Sequence, residues 1–460
     1  MAEDDTAHPP TDPPPTDAHP SEPGRPRRRR RWLMITAGVV AFLLVATGAL
    51  LWIAYRTLDG NIRTDSATDR LLARLEAERP SRTAGAKGSE NILLIGSDDR
   101  SGTNSSYGGE PGTQRSDTTI LLHLAADRKH ATAVSIPRDV MVTVPACEKP
   151  DGTRSKAGLM QFNWAFEMGG AACSIRAVEQ LSGIRIDHYV ILDFNGFKTM
   201  VNAIGGVEVC VPQAIHDKDA RLDLPAGRQT LHGEQALGYV RARESLGDGS
   251  DTQRMGRQQQ FLAALIRKVQ SQGVLLNPAR LWPVLDAATS SVKADGGLSS
   301  LGALYDLTQD LRDIPSADVV LLTAPRRPYR YDSDRDEFVQ PQTTQLFTAL
   351  RDDRSVAVRP PGSAPSPGAV AGAGVGVGAG VGVGAGVGVG AGVGVGAGAS
   401  PSPVAAGTSP SPSPAGAGAG SDGAAGAAGA AGAPAKASPS ADASPTFEGR
   451  TADVDACAQH

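Results

Sequence analysis

NILLIGSDDR, residues 91–100, sets the fold class. Four consecutive large aliphatic side chains, Ile92 to Ile95, stop at Gly96 and Ser97 and run straight into Asp98, Asp99 and Arg100. A run this short, apolar on both faces, reads as a strand buried from both sides. TTILLHL (118–124) and ATAVSI (131–136) follow as further strands, rich in β-branched residues. Downstream the pattern alternates. A helix over Cys173–Leu181 ends at Gly183, YVILDF (189–194) is a strand, and a helix over Phe197–Ile204 ends at Gly205 and Gly206. Val207–Val211 is a strand stopped by Pro212, and Gly233–Val240 is a helix. A longer helix is capped by Asp251 or Thr252 and closed after Gln272 by Gly273. Helices over Pro278–Ser291 and Leu298–Leu311 and a strand over Asp318–Thr323 complete the pattern. Strands alternating with helices predict a three-layer α/β/α domain with a mixed central sheet.

Outward from this core, residues 89–350 have ordinary globular composition and form one large domain. Residues 56–88 read as a stalk. Before them, six arginines between Arg25 and Arg31 abut 24 residues without formal charge, Trp32–Tyr55. As a helix that run spans about 36 Å, enough for a hydrocarbon core of about 30 Å. It is longer than a signal-peptide core and lacks a small-residue cleavage site, so it reads as an uncleaved transmembrane anchor. The arginines against it belong to membrane topology rather than to nucleic acid. Positive charge stays inside, which places residues 1–31, a disordered tail, in the cytoplasm and the domain outside.

Residues 351–445 read as a low-complexity spacer. Within them, 373–396 are four copies of Ala-Gly-Val-Gly-Val-Gly, followed by Ser-Pro and Gly-Ala tracts. A short C-terminal segment, 446–460, follows. All four cysteines, Cys147, Cys173, Cys210 and Cys457, fall on the outer side and match no zinc spacing. Four cysteines allow three connectivities. Cys147–Cys173 and Cys210–Cys457 is the expected pairing, the second tying the C-terminus back across the spacer.

Charge gathers at the ends of the apolar strands. Asp98 and Arg100 end the first, Arg115 and Asp117 precede the second, and Arg138 and Asp139 end the third. Arg241 and Arg243 are two apart, on one side of an extended chain. Arg254, Arg257 and Gln258 share one helical face that continues as Phe261, Leu262 and Leu265. Ligands bind at strand ends of open α/β sheets. Guanidinium forks bind phosphate oxygens, and carboxylates tolerate phosphate when Mg²⁺ bridges them. A carboxylate also accepts a proton from an attacking hydroxyl. Such parts suit phosphoryl or phosphoglycosyl transfer. The chain has no Walker A loop, no Gly-x-Ser-x-Gly elbow and no His-Glu-x-x-His, and its eight histidines form no ligand pattern.

Seven stretches resemble the LytR–CpsA–Psr wall glycopolymer ligases in order: NILLIGSDDR (91–100), RSDTTILLH (115–123), VSIPRDVMV (134–142), IDHYVILDFNGF (186–197), NAIGGVEVCVP (202–212), LDLPAGRQTLHGEQALGYVRAR (222–243) and DTQRMGRQQQF (251–261). The cysteines are similar to those of actinobacterial members. The resemblance implies an enzyme with a hydrophobic pocket for a polyprenyl tail. Its activity would be transfer of a glycopolymer from a polyprenyl-pyrophosphate carrier to peptidoglycan, leaving a phosphodiester, with Mg²⁺. By position, Asp98 and Asp117 match the family's metal-associated acids, one of them a candidate base, and Arg138 joins them as catalytic. Arg100, Arg115, Arg241, Arg243, Arg254 and Gln258 match the pyrophosphate-contacting set, with Arg257 inside the same motif. Asp139 and Asp251 are expected to orient arginines.

The sequence departs from the family at Gln161-Phe162-Asn163-Trp164, where Asn163 is kept and the bulkier Trp164 stands at the expected pocket mouth. A separate C-terminal domain found in some relatives is not evident. Two other functions use the same residues. One is a polyprenyl-phosphate-binding sensor or scaffold of wall assembly without turnover; the other is a hydrolase of the same carrier.

Overall fold

The computed structural model describes residues 27–98, 116–149, 151–243, 251–271, 278–360, 444–455 and 457. Helix α1 (Arg27–Asn61) leads into β1 (Arg63–Thr64) and α2 (Ser66–Arg74). Next come β2 (Glu90–Ser97), β3 (Ser116–Leu124), β4 (Ala131–Ile136), the hairpin β5 (Met141–Val144) and β6 (Gly158–Gln161), and α3 (Trp164–Ser182). The middle of the chain holds β7 (His188–Leu192), α4 (Phe194–Ala203), β8 (Val207–Val211), β9 (Ile215–Asp217), β10 (Leu222–Leu224), β11 (Gly227–Leu231) and α5 (Gly233–Arg241). Then follow α6 (Asp251–Ser271), α7 (Pro278–Ser291), β12 (Val292–Ala294), α8 (Leu301–Asp313) and β13 (Val319–Thr323). The hairpin β14 (Arg326–Tyr329) and β15 (Asp332–Phe338), α9 (Gln342–Arg351), β16 (Ala357–Arg359) and β17 (Thr446–Thr451) complete the elements.

Nine strands make one mixed sheet in the order β1-β12-β7-β2-β3-β4-β13-β17-β16. β2 is antiparallel to β3 and parallel to β7, β4 is antiparallel to β3 and parallel to β13, and β17 is antiparallel to β13. The carboxyl ends of β2, β4, β7 and β13 and the amino ends of β3 and β17 therefore share one edge.

Side chains alternate across this sheet. One face presents Leu93, Ile95, Leu121, Val134 and Ile136, which pack with Phe166, Ile175 and Val178 of α3 and Leu346 and Phe347 of α9. The other presents Ile92, Leu94, Ile120, Leu122, Ala133 and Val190 toward Leu262 and Ile266 of α6 and Leu307 and Leu311 of α8. A third apolar cluster joins β8, β11 and α5 to Phe261 and Ala264 of α6.

Among the described residues, α1 carries the one span, Arg30–Asn61, long and apolar enough to cross a bilayer. Its far end docks on the domain: the Asn61 side-chain amide donates to Asp286 Oδ1 (2.9 Å), and Asp59 Oδ1 accepts from the Leu301 amide (3.0 Å).

The structure differs from the sequence reading in several places, one of them β16 (Ala357–Arg359), which lies in the stretch read as spacer yet joins the sheet edge. Residues read as a stalk are built into the domain, with Leu58, Ile62 and Leu72 buried and β1 on the sheet edge. The C-terminal segment, expected only to be tied back by a disulfide, also adds a strand: β17 fills the slot between β13 and β16, because Gly449 lets it approach to where a Cβ would lie 2.6 Å from the Leu321 carbonyl. Helix α4 starts at Phe194, since Asp193 caps it by accepting from the Gly196 amide (2.7 Å). Helix α3 continues through Gly169 and Gly170 with a kink, and a Cβ at Gly169 would sit 2.8 Å from the Glu148 carbonyl. Both expected disulfides, Cys147–Cys173 and Cys210–Cys457, are present.

Candidate functional site

Asp98 sits one residue past β2 and is buried. Asp117 is the second residue of β3, and Pro137 ends β4 just before Arg138 and Asp139. Four groups fix Arg138. Its Nη1 donates to Asp117 Oδ1 (2.8 Å) and its Nε to Asp139 Oδ2 (3.1 Å). Asp139 is held in turn by the Gln161 amide (2.9 Å), and the Arg138 carbonyl accepts from the Asn163 backbone (3.0 Å). A guanidinium restrained this way is pre-organised, so little side-chain entropy is left to lose on binding an anion.

Helix α6 brings the second set. Arg254 is buried and its Nη2 lies 3.5 Å from the Asp117 carbonyl oxygen. One turn on, the Gln258 amide donates to Thr118 Oγ1 (3.1 Å) and to the Val240 carbonyl (3.2 Å). Arg257 donates to the Ala242 carbonyl. Together Gln258 and Arg257 clamp the end of α5, and the Arg243 amide donates to Asp217 Oδ2 (2.7 Å). The extended reading of 241–243 is corrected here. Arg241 is the last residue of α5, its guanidinium 4.6 Å over the Phe194 ring, and the chain turns extended only at Ala242.

Asp117 is where these charges converge. Burial by itself would raise its pKa, but the fields of Arg138 and Arg254, the hydrogen bond from Arg138 and the field of Arg243 hold it below the ordinary carboxylate range. Three arginines from β4, the α5 exit and α6 thus act on one carboxylate. Burial lowers the pKa of Arg257. Arg100, Arg115 and the side chain of Asp251 lie outside the described residues.

Two residues that sequence reasoning left without a role belong to this cluster. Gln161 was noted only as a departure, yet it orients Asp139. Asp217, in a stretch with no motif, anchors Arg243. Asn163 is buried and its Oδ1 has no partner among the described residues, while Trp164 next to it is exposed.

Beneath the cluster the α6/α8 face is loosely covered. Leu94, Ile120, Leu122 and Val190 lie on central strands, yet all are only partly buried. Helix α8 turns Leu307 and Leu311 toward them and has no buried residue. A sheet centre packed to native density would bury these side chains, so this layer stands off from the sheet. On the opposite flank, a cavity of 1320 Å³ adjoins Asp139, Arg243 and Arg257 and is lined by arginines, glutamines and acids. Its lining mixes those charged groups with apolar residues such as Pro212, Ile215, Val339 and Phe447, whereas the loosely covered face is apolar and fits the expected lipid pocket better.

Among the described residues no group of three or more His, Cys, Asp or Glu could cage a metal. The donor set is two carboxylates on neighbouring strand ends, Asp98 and Asp117. That fits Mg²⁺, which takes one or two carboxylates together with phosphate oxygens and water.

The LytR_cpsA_psr family model matches residues 59–352. The probable cell wall biosynthesis protein LcpB of Corynebacterium glutamicum is 37% identical over 236 residues, covering 50% of this chain and 53% of that protein. LcpA of the same organism is 34% identical over 266 residues, covering 52% and 50%. The polyisoprenyl-teichoic acid–peptidoglycan teichoic acid transferase TagT of Bacillus subtilis is 29% identical over 297 residues, covering 63% and 85%. The chain thus spans about half the length of the two corynebacterial relatives. Among solved structures, the LytR-Csp2A-Psr enzyme from Actinomyces oris is 22% identical with a TM-score of 0.47, covering 59% of this chain and 93% of that one.

Proposed function

The chain belongs to the LytR–CpsA–Psr family, and from that premise we propose that it transfers a glycopolymer from a polyprenyl-diphosphate carrier to peptidoglycan, leaving a phosphodiester. The observation that carries this reading is the convergence of Arg138, Arg243 and Arg254 on Asp117, at the sheet edge above a loosely covered apolar face. Relatives named as teichoic acid transferases support it.

The parts divide the work. The arginine cluster offsets the charge of a diphosphate and holds it at the strand ends. The apolar layer between β2, β3, β7 and helices α6 and α8 receives the lipid tail, which gains about 0.8 kcal/mol per buried methylene. Transfer forms a bond between the acceptor oxygen and the glycan-linked phosphorus and breaks the bond from that phosphorus to the polyprenyl phosphate. The electron pair leaves with the lipid phosphate, and the acceptor proton passes to a carboxylate. Asp117 is held ionised by its arginines and suits cation binding; Asp98, buried at the end of β2 beside it, is the candidate base. Mg²⁺ held by Asp98 and Asp117 would neutralise charge on the phosphate oxygens. The arginine run before the α1 apolar span orients the anchor with its N-terminus in the cytoplasm and the domain at the wall side.

The test uses the full chain in detergent with a polyprenyl-diphosphate-linked glycan and a peptidoglycan oligomer. Coupled product is expected from the native chain, and Arg138→Ala should lower its rate by about 10²–10³-fold. Undiminished coupling by Arg138→Ala would reject the site. Lipid binding with no product from the native chain would instead identify a binding module.

A further inference from the structure

The 1320 Å³ cavity beside the cluster is larger than a pocket for a drug-sized ligand, about 300–1,000 Å³. It lies on the β13–β17 side of Arg257, whereas the apolar layer lies on the β7–β2–β3 side. Its far wall comes from the two strands that close the sheet, β16 with Arg359 and β17 with Arg450. Tyr239 lies in the same lining, its hydroxyl donating to Gln260 Oε1 (3.1 Å). Burial pushes the Tyr239 phenol up to about 12 against the opposing fields of Arg257 and Arg450, which places both guanidiniums around it.

Each of these arginines keeps one buried donor without an acceptor. The Nε atoms of Arg257, Arg359 and Arg450 are buried without a hydrogen-bond partner among the described residues. The Arg359 Nη2 reaches Glu448 only at 4.0 Å, and Arg267 adds repulsion at Arg450. Of the four acids in the lining, Asp139 is taken by Arg138 and Gln161, Asp336 by Arg326, and Glu448 meets Arg359 only at that long distance, while Asp334 bonds none of the three Nε atoms. Buried donors without acceptors cost about 1–3 kcal/mol each, more when charged, so the cavity is built for an anion the protein does not supply.

We propose that this cavity binds the acceptor, a carboxylate-bearing oligosaccharide, with Arg257, Arg359 and Arg450 on its acidic groups and side-chain amides such as Gln213 and Gln253 on its hydroxyls. The inference rests on the transferase reading for its meaning. In-line displacement needs the attacking hydroxyl opposite the leaving lipid phosphate. Tail layer, arginine cluster and cavity follow one another across the sheet in that order.

The test titrates full-length protein in detergent with three probes: a peptidoglycan-derived oligosaccharide with free carboxylates, the same oligosaccharide methyl-esterified, and polyprenyl phosphate. The free acid should bind at least about tenfold more tightly than the ester, and Arg450→Gln and Arg359→Gln should each weaken it by about tenfold. Gln213→Glu, at an exposed position where folding is not at stake, should weaken it similarly by adding like charge. Polyprenyl phosphate should bind all of these as it binds the native chain. Free-acid binding unchanged by Arg450→Gln and Gln213→Glu, or equal affinity for the ester, overturns the proposal. So does tighter binding of a phosphodiester-linked saccharide than of the free acid, which would give the cavity to the donor polymer. Oligosaccharide binding without any polyprenyl phosphate binding would retain the cavity and reject the donor site.

Discussion

The two faces of the central sheet are made from the same strands and finished differently. On the α3/α9 face Leu93, Leu121 and Val134 are fully enclosed, while one residue away on the α6/α8 face Leu94, Ile120 and Leu122 are only partly covered. β4 shows the design within one strand: Val134 and Ile136 fill the first face, and Ala131, Ala133 and Ser135 leave room on the second. The lesson is that one layer supplies stability and the other supplies space, with the arginine cluster at their shared edge.

Adjacent leucines break or sharpen that contrast. Leu121→Ala, on the closed face, should lose about 2–5 kcal/mol in denaturant unfolding and leave polyprenyl phosphate affinity nearly unchanged. Leu122→Ala, opposite Ala133 on the open face, should lose only about 1 kcal/mol of stability yet weaken polyprenyl phosphate binding by roughly tenfold. Equal stability losses would mean that the faces are equally packed.

A smaller effect tests the closed face by pH. His123 is buried there between Asn91 Oδ1 (2.8 Å) and Asp353 Oδ1 (3.0 Å). Burial lowers its pKa although Asp353 opposes the shift. The unfolded chain therefore takes up the proton first. Stability is complete above about pH 6.5 and falls as pH drops below it, by at most about 1.4 kcal/mol per pH unit. His123→Gln should flatten that slope in pH-dependent unfolding; an unchanged slope would show that His123 does not set it.

Much of this was legible in the sequence where the signal is local. The strands β2, β3 and β4 are continuous apolar runs with charges at their ends, and the helix bearing Arg254, Arg257 and Gln258 shows its face by spacing alone. Longer-range features were not. TFEGRT (446–451) is too short and polar to announce a strand, and it becomes one because β13 and β16 leave a slot that Gly449 can enter. Gln161 acquires its role only through Asp139, a contact made by folding. The alternation of small and large residues in ATAVSI carried the open face, but strand propensity alone did not distinguish it from ordinary packing. Arg450 meets Arg257 and Tyr239 only once the chain's far end has returned to the sheet.

The central claim is that the arginine edge and the open face form one lipid-phosphate site. Its most direct test is an experimental structure of the full chain with bound polyprenyl phosphate. The phosphate should lie against Arg138, Arg243 and Arg254, with the isoprenoid chain running between Ile120 and Leu122 of β3 and helices α6 and α8. A phosphate bound away from those arginines, or a tail packed against the α3/α9 face, would contradict the account.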